Sequence, residues 1–566
     1  MKQLKIFIKN NSSYYECQVG TTLDELSKNI NAKCCFPILA ALVDNQLKEL
    51  SFNIYKNCQI EFIDYSHPDG RRTYSRTLSF ILQKSVSELY PDKKLSLDYT
   101  LPNGLYGEVR EIEKEEDGTP YEIQLSPQEV NNIKNRMLEI IKKNLPFTKE
   151  KINKEEAAKL FLDNGRKEKA AIASNSPKFF VSVYYLDGYA DTFYGPLLSS
   201  TGQITLFDLI PYNYGFCIQL PSSYDPITLN SQRYQDKLSA VLKENSNWCS
   251  IIGANGVGTL NTALKYGYAG EVIQIAEALH ERKYALIADK IFEKKDNVKL
   301  VLIAGPSSSG KTTTSKRLAL QCKVLGLNPI VIAMDNYFVS RDKTPKDKNG
   351  EYDFEHIDAL DRELLNNQLN DLFAGKEVEL PTFDFKKGEP FFSGEKTVLH
   401  ESDIIIMEGI HALNPKLTEH INQKHIFKIF ASALTSLSLD ENNNISTSDN
   451  RLLRRMIRDN NTRGISPEDT ILRWKSVRNG EEKNIFPYQE NSDVMFNSSL
   501  LFELPLLKYY ATPLLHRIDP CSPAYVESIR LLKFLSYFGE LTPKEIDTIP
   551  PTSVMREFIG GSTFKY

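Results

Sequence analysis

The run GPSSSGKT at residues 305–312 fits the pattern G-x-x-x-x-G-K-[ST] in full. Its glycines let a loop wrap around phosphate oxygens with N–H groups pointing inward, and the following helix adds the positive end of its dipole. In this pattern Lys311 reaches the β- and γ-phosphates of a nucleoside triphosphate, and the hydroxyl of Thr312 binds Mg²⁺. A chance turn rich in glycine and serine is the alternative, which the apolar run before it and the helical run after it disfavour. The predicted nucleotide-binding residues are Gly305, Pro306, Ser307, Ser308, Ser309, Gly310, Lys311, Thr312 and Thr313.

Two acidic residues stand where apolar strands end. Asp335 follows the run at 328–334, and Glu408 follows the run at 403–407. Ligands of open α/β sheets gather outside the carboxyl ends of the strands, so both carboxylates are expected beside the phosphates. Glu408 is suited to holding Mg²⁺ or its water shell with Thr312, and Asp335 to accepting a proton from an attacking hydroxyl. The alternative for each is a carboxylate that caps a helix or turn.

A cluster of arginines lies in the run RLLRRMIRDNNTRG at 451–464. Spacings of three and four residues place most of them on one helix face. Fork-shaped cations beside a phosphate site suit the stabilisation of a transferring phosphoryl group, so we interpret the run as a catalytic lid. A solvated or RNA-contacting basic face is the alternative. The polar loop before it, at 440–450, is expected to be mobile. The cluster consists of Arg451, Arg454, Arg455, Arg458 and Arg463.

These side chains need a rigid frame to bring them together. Continuous apolar runs at 299–305, 328–335, 403–409 and 425–432 alternate with helical segments. This alternation is typical of a parallel sheet covered by helices on both faces. We therefore predict a multidomain α/β protein whose C-terminal half holds a parallel sheet of the P-loop NTPase type.

Length and composition are consistent with several folded domains. The chain has 566 residues, 41% of them hydrophobic and 25% charged, and a net charge of -4, which excludes a globally basic nucleic-acid coat. No apolar run reaches the length of a membrane helix, and the N-terminus lacks the apolar core of a signal peptide. The eight cysteines form no CxxC pair and indicate free thiols in a reducing compartment. We expect a cytoplasmic protein with no membrane contact.

Shifts in composition and pattern divide the chain into five predicted segments. They are a small α+β module at 1–63, a larger α+β domain at 64–220, a helical connector at 221–297, the P-loop domain at 298–500 and a helical extension at 501–566.

Five blocks of the C-terminal half, in order, resemble the phosphoribulokinase/uridine kinase family. The blocks are GPSSSGKTTT, MDNYF, YDFEHIDALD at 352–361, IIIMEGIHAL at 404–413 and RLLRRMIRDNNTRG. The resemblance implies a kinase that uses ATP and Mg²⁺, with Lys311 and Asp335 in catalysis and Asp335 as general base.

The same resemblance implies residues that hold the acceptor and the transferring group. Glu355 takes the place of an aspartate that binds ribose hydroxyls, and Phe354 matches the aromatic residue before it. Arg455, Arg458 and Arg463 match arginines of the family's lid. Arg458 and Arg463 are therefore predicted as catalytic, and Arg455 as a substrate contact.

One stretch departs from the uridine kinase pattern P-x-Y-D-F-x-x-H, which contacts the base. At 381–388 this chain reads PTFDFKKG, so Phe383 replaces the tyrosine and Gly388 the histidine. Phe383 and Phe385 still offer aromatic faces to a base. Two polar groups that would read the base are absent, so the identity of the acceptor stays open.

The N-terminal half resembles the N-terminal portion of threonyl-tRNA synthetase. Residues 1–63 resemble its TGS module, which has a ubiquitin-like fold, and 64–220 resemble its editing domain, through stretches such as DTFYGPLLSSTGQITLFDL. Aligning the chains on ELYP puts non-catalytic side chains at the editing positions, so we predict a scaffold without editing chemistry. Those side chains are Arg76, Phe80, Phe193 and Leu197.

The predicted function is phosphorylation of a nucleoside by ATP. Stacking aromatics at 354 and 383 favour a nucleoside over the alternative acceptor, a sugar or phosphosugar. An RNA- or tRNA-binding regulatory protein that uses the P-loop as a nucleotide switch is the alternative from another class. The sequence leaves the oligomeric state open.

Overall fold

A computed structural model describes residues 3–101, 104–111, 124–223, 225–230, 234–254, 256–346, 350, 352–384, 387–435 and 437–565. The first elements are β1 (Gln3–Ile8), β2 (Ser13–Gln18), α1 (Leu23–Asn29), β3 (Ala40–Val43), β4 (Gln46–Lys48) and β5 (Cys58–Ile63). The strands form one sheet in the order β2-β1-β5-β3-β4. Helix α1 begins at a capping box between Thr22 and Glu25 and buries Leu23 and Leu26 in the same core as the sheet.

The next part of the chain builds two antiparallel sheets around a long helix. Its elements are α2 (Pro68–Leu89), β6 (Lys93–Leu101), β7 (Gly104–Glu111), α3 (Pro127–Lys142), β8 (Thr148–Asn153), α4 (Lys154–Asp163), α5 (Lys167–Ser174), β9 (Phe180–Leu186), β10 (Tyr189–Asp191), β11 (Asp208–Tyr212) and β12 (Gly215–Gln219). The sheets have the orders β11-β12-β7-β6 and β10-β9-β8. Apolar residues of α2 share one core with residues of both sheets.

Three helices lead from this region to the C-terminal half: α6 (Asp236–Ile251), α7 (Val257–Lys265) and α8 (Ala269–Phe292). The last of them is the longest of the three, with 24 residues. None of the helices in the described part of the chain combines the length and the apolar character that crossing a lipid bilayer requires.

The C-terminal half contains the predicted parallel sheet. Its elements are β13 (Leu300–Ala304), α9 (Lys311–Val324), β14 (Asn328–Ala333), α10 (Arg362–Phe373), β15 (Val378–Asp384), β16 (Glu389–Thr397), β17 (Asp403–Glu408), β18 (Ile426–Ser432), α11 (Thr447–Arg458), α12 (Pro467–Asn484) and β19 (Val494–Asn497). The order β14-β17-β13-β18-β19 is parallel throughout. Along β13, Leu300 and Leu302 enter one core while Val301 and Ile303 enter the other. Both faces are covered, which explains the unbroken apolar runs.

The chain closes with α13 (Glu503–Leu515), α14 (Tyr525–Leu535), α15 (Pro543–Asp547) and α16 (Arg556–Ile559). Apolar residues of α7, α8, α11, α13 and α16 form one shared core. The helix that carries the arginine cluster is therefore packed between the connector and the C-terminal extension.

The polar loop at 440–450 is not the mobile segment that its composition indicates. Asp440, Glu441, Asn442 and Asn443 are all buried. Main-chain and side-chain atoms of Glu441 accept hydrogen bonds from the N–H groups of Leu97 and Glu168, at 3.1 and 3.0 Å. The expectation of mobility is wrong because these polar groups find their hydrogen-bond partners in the N-terminal half, a pairing that a local pattern cannot show.

Candidate functional site

The loop between β13 and α9 has the backbone geometry that its glycines predict. Ser308 and Gly310 adopt left-handed conformations, with φ of 58° and 79°. A Cβ atom on Gly305 would lie 2.0 Å from the carbonyl oxygen of Ala431 on β18, so only glycine fits there. The neighbouring strand thus forces the tight turn that opens the loop.

The loop is suited to an anionic ligand such as a chain of phosphates. The hydroxyls of Ser308 and Ser309 are buried and make no hydrogen bond to the described part of the protein. The Nζ of Lys311 donates across the loop to the carbonyl oxygen of Pro306, at 3.2 Å. Hydroxyls and a lysine gathered at the N-terminus of α9 fit the phosphate groups of a nucleotide.

Glu408 and Thr312 form the pair expected beside such phosphates. The hydroxyl of Thr312 donates to Oε1 of Glu408 at 2.8 Å. Burial raises the pKa of Glu408 to about 7, although Lys311 opposes the rise. Among the described residues, no cluster of three or more histidines, cysteines and acidic groups could bind a metal alone. A hydroxyl and one carboxylate still fit Mg²⁺, which usually takes its other ligands from phosphates and water.

Asp335 lies in the short 3₁₀ turn Met334–Tyr337 directly after β14. In the sheet, Glu408 pairs with Ala333, so the two acidic strand ends lie side by side. The residue is accessible to solvent, but the surrounding protein removes water from its carboxyl and raises its pKa. Lys311 and Arg463 oppose that rise, so both cations lie within electrostatic range of the carboxylate.

Glu355 is a third carboxylate within electrostatic range of Lys311. Glu355 packs against α12: a Cβ atom on Gly480 would lie 2.8 Å from the Cβ of Glu355. The carbonyl oxygen of Glu355 accepts a hydrogen bond of 2.7 Å from the side chain of Asn484. Burial, with Glu481 nearby, raises the pKa of Glu355 to about 7, while Arg455 and Lys311 oppose the rise.

The aromatic residues predicted to contact the acceptor take different positions. Phe354 is 46% exposed. Phe383 is half-buried and meets the ring of Phe338 edge-on, with centroids 5.8 Å apart. Phe385 lies outside the described residues. At Gly388, where the uridine kinase pattern has histidine, an added Cβ would lie 3.0 Å from Nε of Arg341.

Arg455, Arg458 and Arg463 gather around a single buried carboxylate. They contact the side chain of Asp459 at 3.2, 3.0 and 3.4 Å. Arg455 also donates to the hydroxyl of Ser307 in the loop, at 2.8 Å. Asp459 thus holds the three guanidinium groups together at the end of α11, beside the phosphate loop.

The other two arginines of the cluster lie in the protein core. Arg451 and Arg454 are 1% and 0% exposed and form bidentate ion pairs with Glu481 and Glu503. The interpretation of the run as a catalytic lid is wrong for these two residues, because both are buried and ion-paired. Both lie where α11 packs against neighbouring helices, so these cations are neutralised by acidic residues of α12 and α13.

Three residues with roles in this site were missed by the sequence analysis. Glu481 accepts a hydrogen bond of 2.9 Å from the backbone N–H of Ser307. Asp459 organises the arginines. His411 is buried behind Glu355, and burial is the main cause that lowers its pKa to about 4. The histidine stands inside a recognised block, three residues after Glu408, and could have been singled out. Nothing local to Glu481 marks it.

The editing-like positions of the N-terminal half hold no acid–base or metal-binding groups. Arg76 is buried and donates to the carbonyl oxygen of Pro196 at 3.1 Å. The rings of Phe80 and Phe193 lie 5.2 Å apart in the core, and Leu197 is buried beside them. Three of the four positions are thus part of the apolar core, and the fourth holds a hydrogen-bonded arginine.

The parallel sheet, the glycine-rich loop and the helix that follows it define a P-loop kinase fold. Residues 300–500 match the family model of the Phosphoribulokinase / Uridine kinase family, so this part of the chain is a domain of that family.

Curated relatives match the two halves separately. A threonine–tRNA ligase from Symbiobacterium thermophilum is 27% identical over 199 residues, covering 35% of this chain and 29% of that protein. A uridine kinase from Ureaplasma parvum serovar 3 is 29% identical over 197 residues, covering 34% of this chain and 86% of that protein. A solved D-glycerate 3-kinase from Cryptococcus neoformans shares 13% identity at a TM-score of 0.21, covering 45% of this chain and 87% of that chain. The chain thus spans less than a third of the threonine–tRNA ligases that it matches.

The division of the arginines into two groups can be tested by stability. Replacing Arg451 with methionine leaves Glu481 charged and buried, so Arg451→Met should lower the free energy of unfolding by about 3–5 kcal/mol. The matched variant Arg463→Met removes a half-exposed cation and should cost about 1 kcal/mol or less. Urea denaturation followed by circular dichroism measures both. Equal losses would contradict the division.

Proposed function

We propose that this protein transfers the γ-phosphoryl group of ATP to the 5′-hydroxyl of a nucleoside related to uridine or cytidine. The observation that carries the proposal is the position of Asp335 at a strand end next to Glu408, with Lys311 and Arg463 within electrostatic range of its carboxylate. Such a transfer needs a proton acceptor, a lysine that binds phosphate and a lid arginine close to the reacting atoms.

In the proposed reaction Asp335 orients the acceptor hydroxyl and takes its proton while that oxygen bonds to the γ-phosphorus. The bond from the γ-phosphorus to the bridging oxygen breaks, and ADP keeps the electron pair. Lys311 and the arginines held by Asp459 stabilise the negative charge on the transferring group. Thr312 and Glu408 would hold Mg²⁺, which would supply positive charge beside the phosphates.

The acceptor pocket supports a nucleoside. Glu355 supplies a carboxylate for a ribose diol, and Arg455 lies within its electrostatic range. Phe354 and Phe383 offer aromatic faces for a base.

One observation favours the alternative acceptor, a sugar or phosphosugar. Arg341 lies against Gly388, where uridine kinases carry histidine, and a guanidinium there suits a phosphate better than a base. A phosphate-transfer screen over nucleosides, deoxynucleosides and phosphorylated sugars decides between the two kinds of acceptor. Only one of these classes should be phosphorylated rapidly when it is present at a saturating concentration.

The likeness of the N-terminal half to threonine–tRNA ligases supports a further alternative, a tRNA- or RNA-binding regulatory protein. Filter binding of tRNA across a series of salt concentrations tests it. Salt-dependent tRNA binding together with no turnover on the acceptor screen would favour this alternative over the kinase.

The role of Asp335 predicts a loss of catalysis without a loss of nucleotide binding. Asp335→Asn keeps the shape of the side chain but removes the base, so turnover should fall about 10²–10⁴-fold. ATP affinity, measured by isothermal titration calorimetry, should stay nearly unchanged. Asp371→Asn, at a half-exposed position of α10, is the control and should behave as the parent protein. Retained turnover in Asp335→Asn would overturn the assignment.

The raised pKa of Glu355 predicts that acceptor binding depends on pH. Since the pKa is about 7, the carboxyl is mostly neutral at pH 6 and mostly ionised at pH 8. The ionised form accepts both hydroxyls of a ribose, so KM for uridine should fall about tenfold between these values. Glu355→Gln should flatten this profile, whereas Glu363→Gln, exposed on α10, should keep it. The same slope in Glu355→Gln would exclude Glu355 as its origin.

A further inference from the structure

The C-terminal extension reaches backbone donors that a nucleotide would use. The backbone N–H and the hydroxyl of Thr313 both donate to Oε2 of Glu557, at 3.3 and 2.6 Å. Thr313 is the third residue of α9, so its N–H is one of those that have no carbonyl partner within the helix. In a phosphate loop of this pattern, such groups bind the phosphates nearest the nucleoside. A carboxylate oxygen of the chain itself therefore takes the position of a phosphate oxygen.

Glu557 is held there by a packed segment. Val554 and Phe558 on either side of it are completely buried in the core shared with α11. A Cβ atom on Gly310 would lie 2.4 Å from Cγ2 of Val554, so the segment lies directly against the loop. The carbonyl oxygen of Phe558 also accepts a hydrogen bond of 3.4 Å from Asn461, in the turn between Arg458 and Arg463.

A second carboxylate, Glu481, contacts the other end of the loop. The two carboxylates differ in how easily a ligand could displace them. Glu481 is 0% exposed and neutralised by ion pairs with Arg451 and Arg478. Glu557 is half-buried and, within the described ranges, has no lysine, arginine or histidine at ion-pair distance. Moving Glu481 away from the N–H of Ser307 would separate a buried ion pair. Moving Glu557 away from Thr313 would break only hydrogen bonds to uncharged donors.

We propose that Glu557 competes with a phosphate group of the nucleotide for Thr313, so that nucleotide binding displaces this carboxylate and the C-terminal segment sets the affinity for ATP. The inference rests on the proposed function only in requiring that the loop at 305–312 binds a nucleoside triphosphate. Two anions cannot share these donors, because their charges repel at hydrogen-bond distance. The segment shares its core with α11, the helix that carries Arg455 and Arg458.

Equilibrium binding of a non-hydrolysable imido analogue of ATP, with Mg²⁺ and without acceptor, tests this competition. Glu557→Gln keeps an oxygen acceptor but removes the charge, so the analogue should bind about fivefold to tenfold more tightly. Glu557→Ala removes the acceptor as well and should bind at least as tightly. Glu540→Gln, an exposed glutamate before α15, is the matched control and should bind as the parent does. Thermal denaturation of each variant checks that the fold is kept.

Hydrogen–deuterium exchange of the backbone at 553–560 gives a second readout that does not depend on affinity. In the parent protein the analogue should raise exchange in this segment, because binding releases Glu557. In Glu557→Gln, exchange should already be higher without the analogue.

The outcomes separate this inference from the proposed function. If the parent binds the analogue and Glu557→Gln binds equally or more weakly, or if binding protects the segment, Glu557 is not a competitor and this inference fails alone. If neither the parent nor any variant binds the analogue, the nucleotide site itself fails, and both proposals fall with it. Tighter binding by Glu557→Gln with the parent's affinity in Glu540→Gln supports the inference.

Discussion

The backbone N–H groups at the start of α9 impose the constraint on which the rest of the C-terminal half depends. A loop that wraps an anion must keep these donors free of carbonyl partners, and buried donors left unpaired are costly. Side-chain carboxylates accept hydrogen bonds from donors at both ends of the loop, Glu481 from Ser307 and Glu557 from Thr313. Arg451 and Arg478 pair with Glu481, whose charge would be costly to bury without cations beside it.

A second consequence is the balance of charge around Lys311. Glu355, Glu408 and Asp335 face it from three segments, and burial raises the pKa of each. Repulsion among them and their desolvation are only partly offset by Lys311 and the arginines at Asp459. These residues would fit a triphosphate with Mg²⁺, which would bring a cation to Glu408 and anions to the arginines.

The N-terminal half is joined to this site through buried polar contacts. Lys169 pairs with Asp191 of its own domain and lies 3.6 Å from Asp440 of the kinase domain, all three being buried. Glu441 adds hydrogen bonds to two further segments of the N-terminal half. The loop that carries these residues leads directly into α11, so the two halves meet immediately before the arginine-bearing helix. At the editing-like positions, by contrast, Phe80 and Phe193 pack against each other in the core of the N-terminal half.

Much of the fold and of the site follows from local sequence patterns. The loop at 305–312 depends on glycines at fixed positions, and the parallel sheet on unbroken apolar runs; both are visible in a single stretch of chain. Strand ends then placed Asp335 and Glu408 at one edge. Only the tertiary structure decided which arginines of α11 are buried, that the polar loop at 440–450 is an interface, and that Glu481 and Glu557 contact the loop. Each of these depends on residues distant along the chain, and whether a charge is solvated or paired is decided by what folding packs against it.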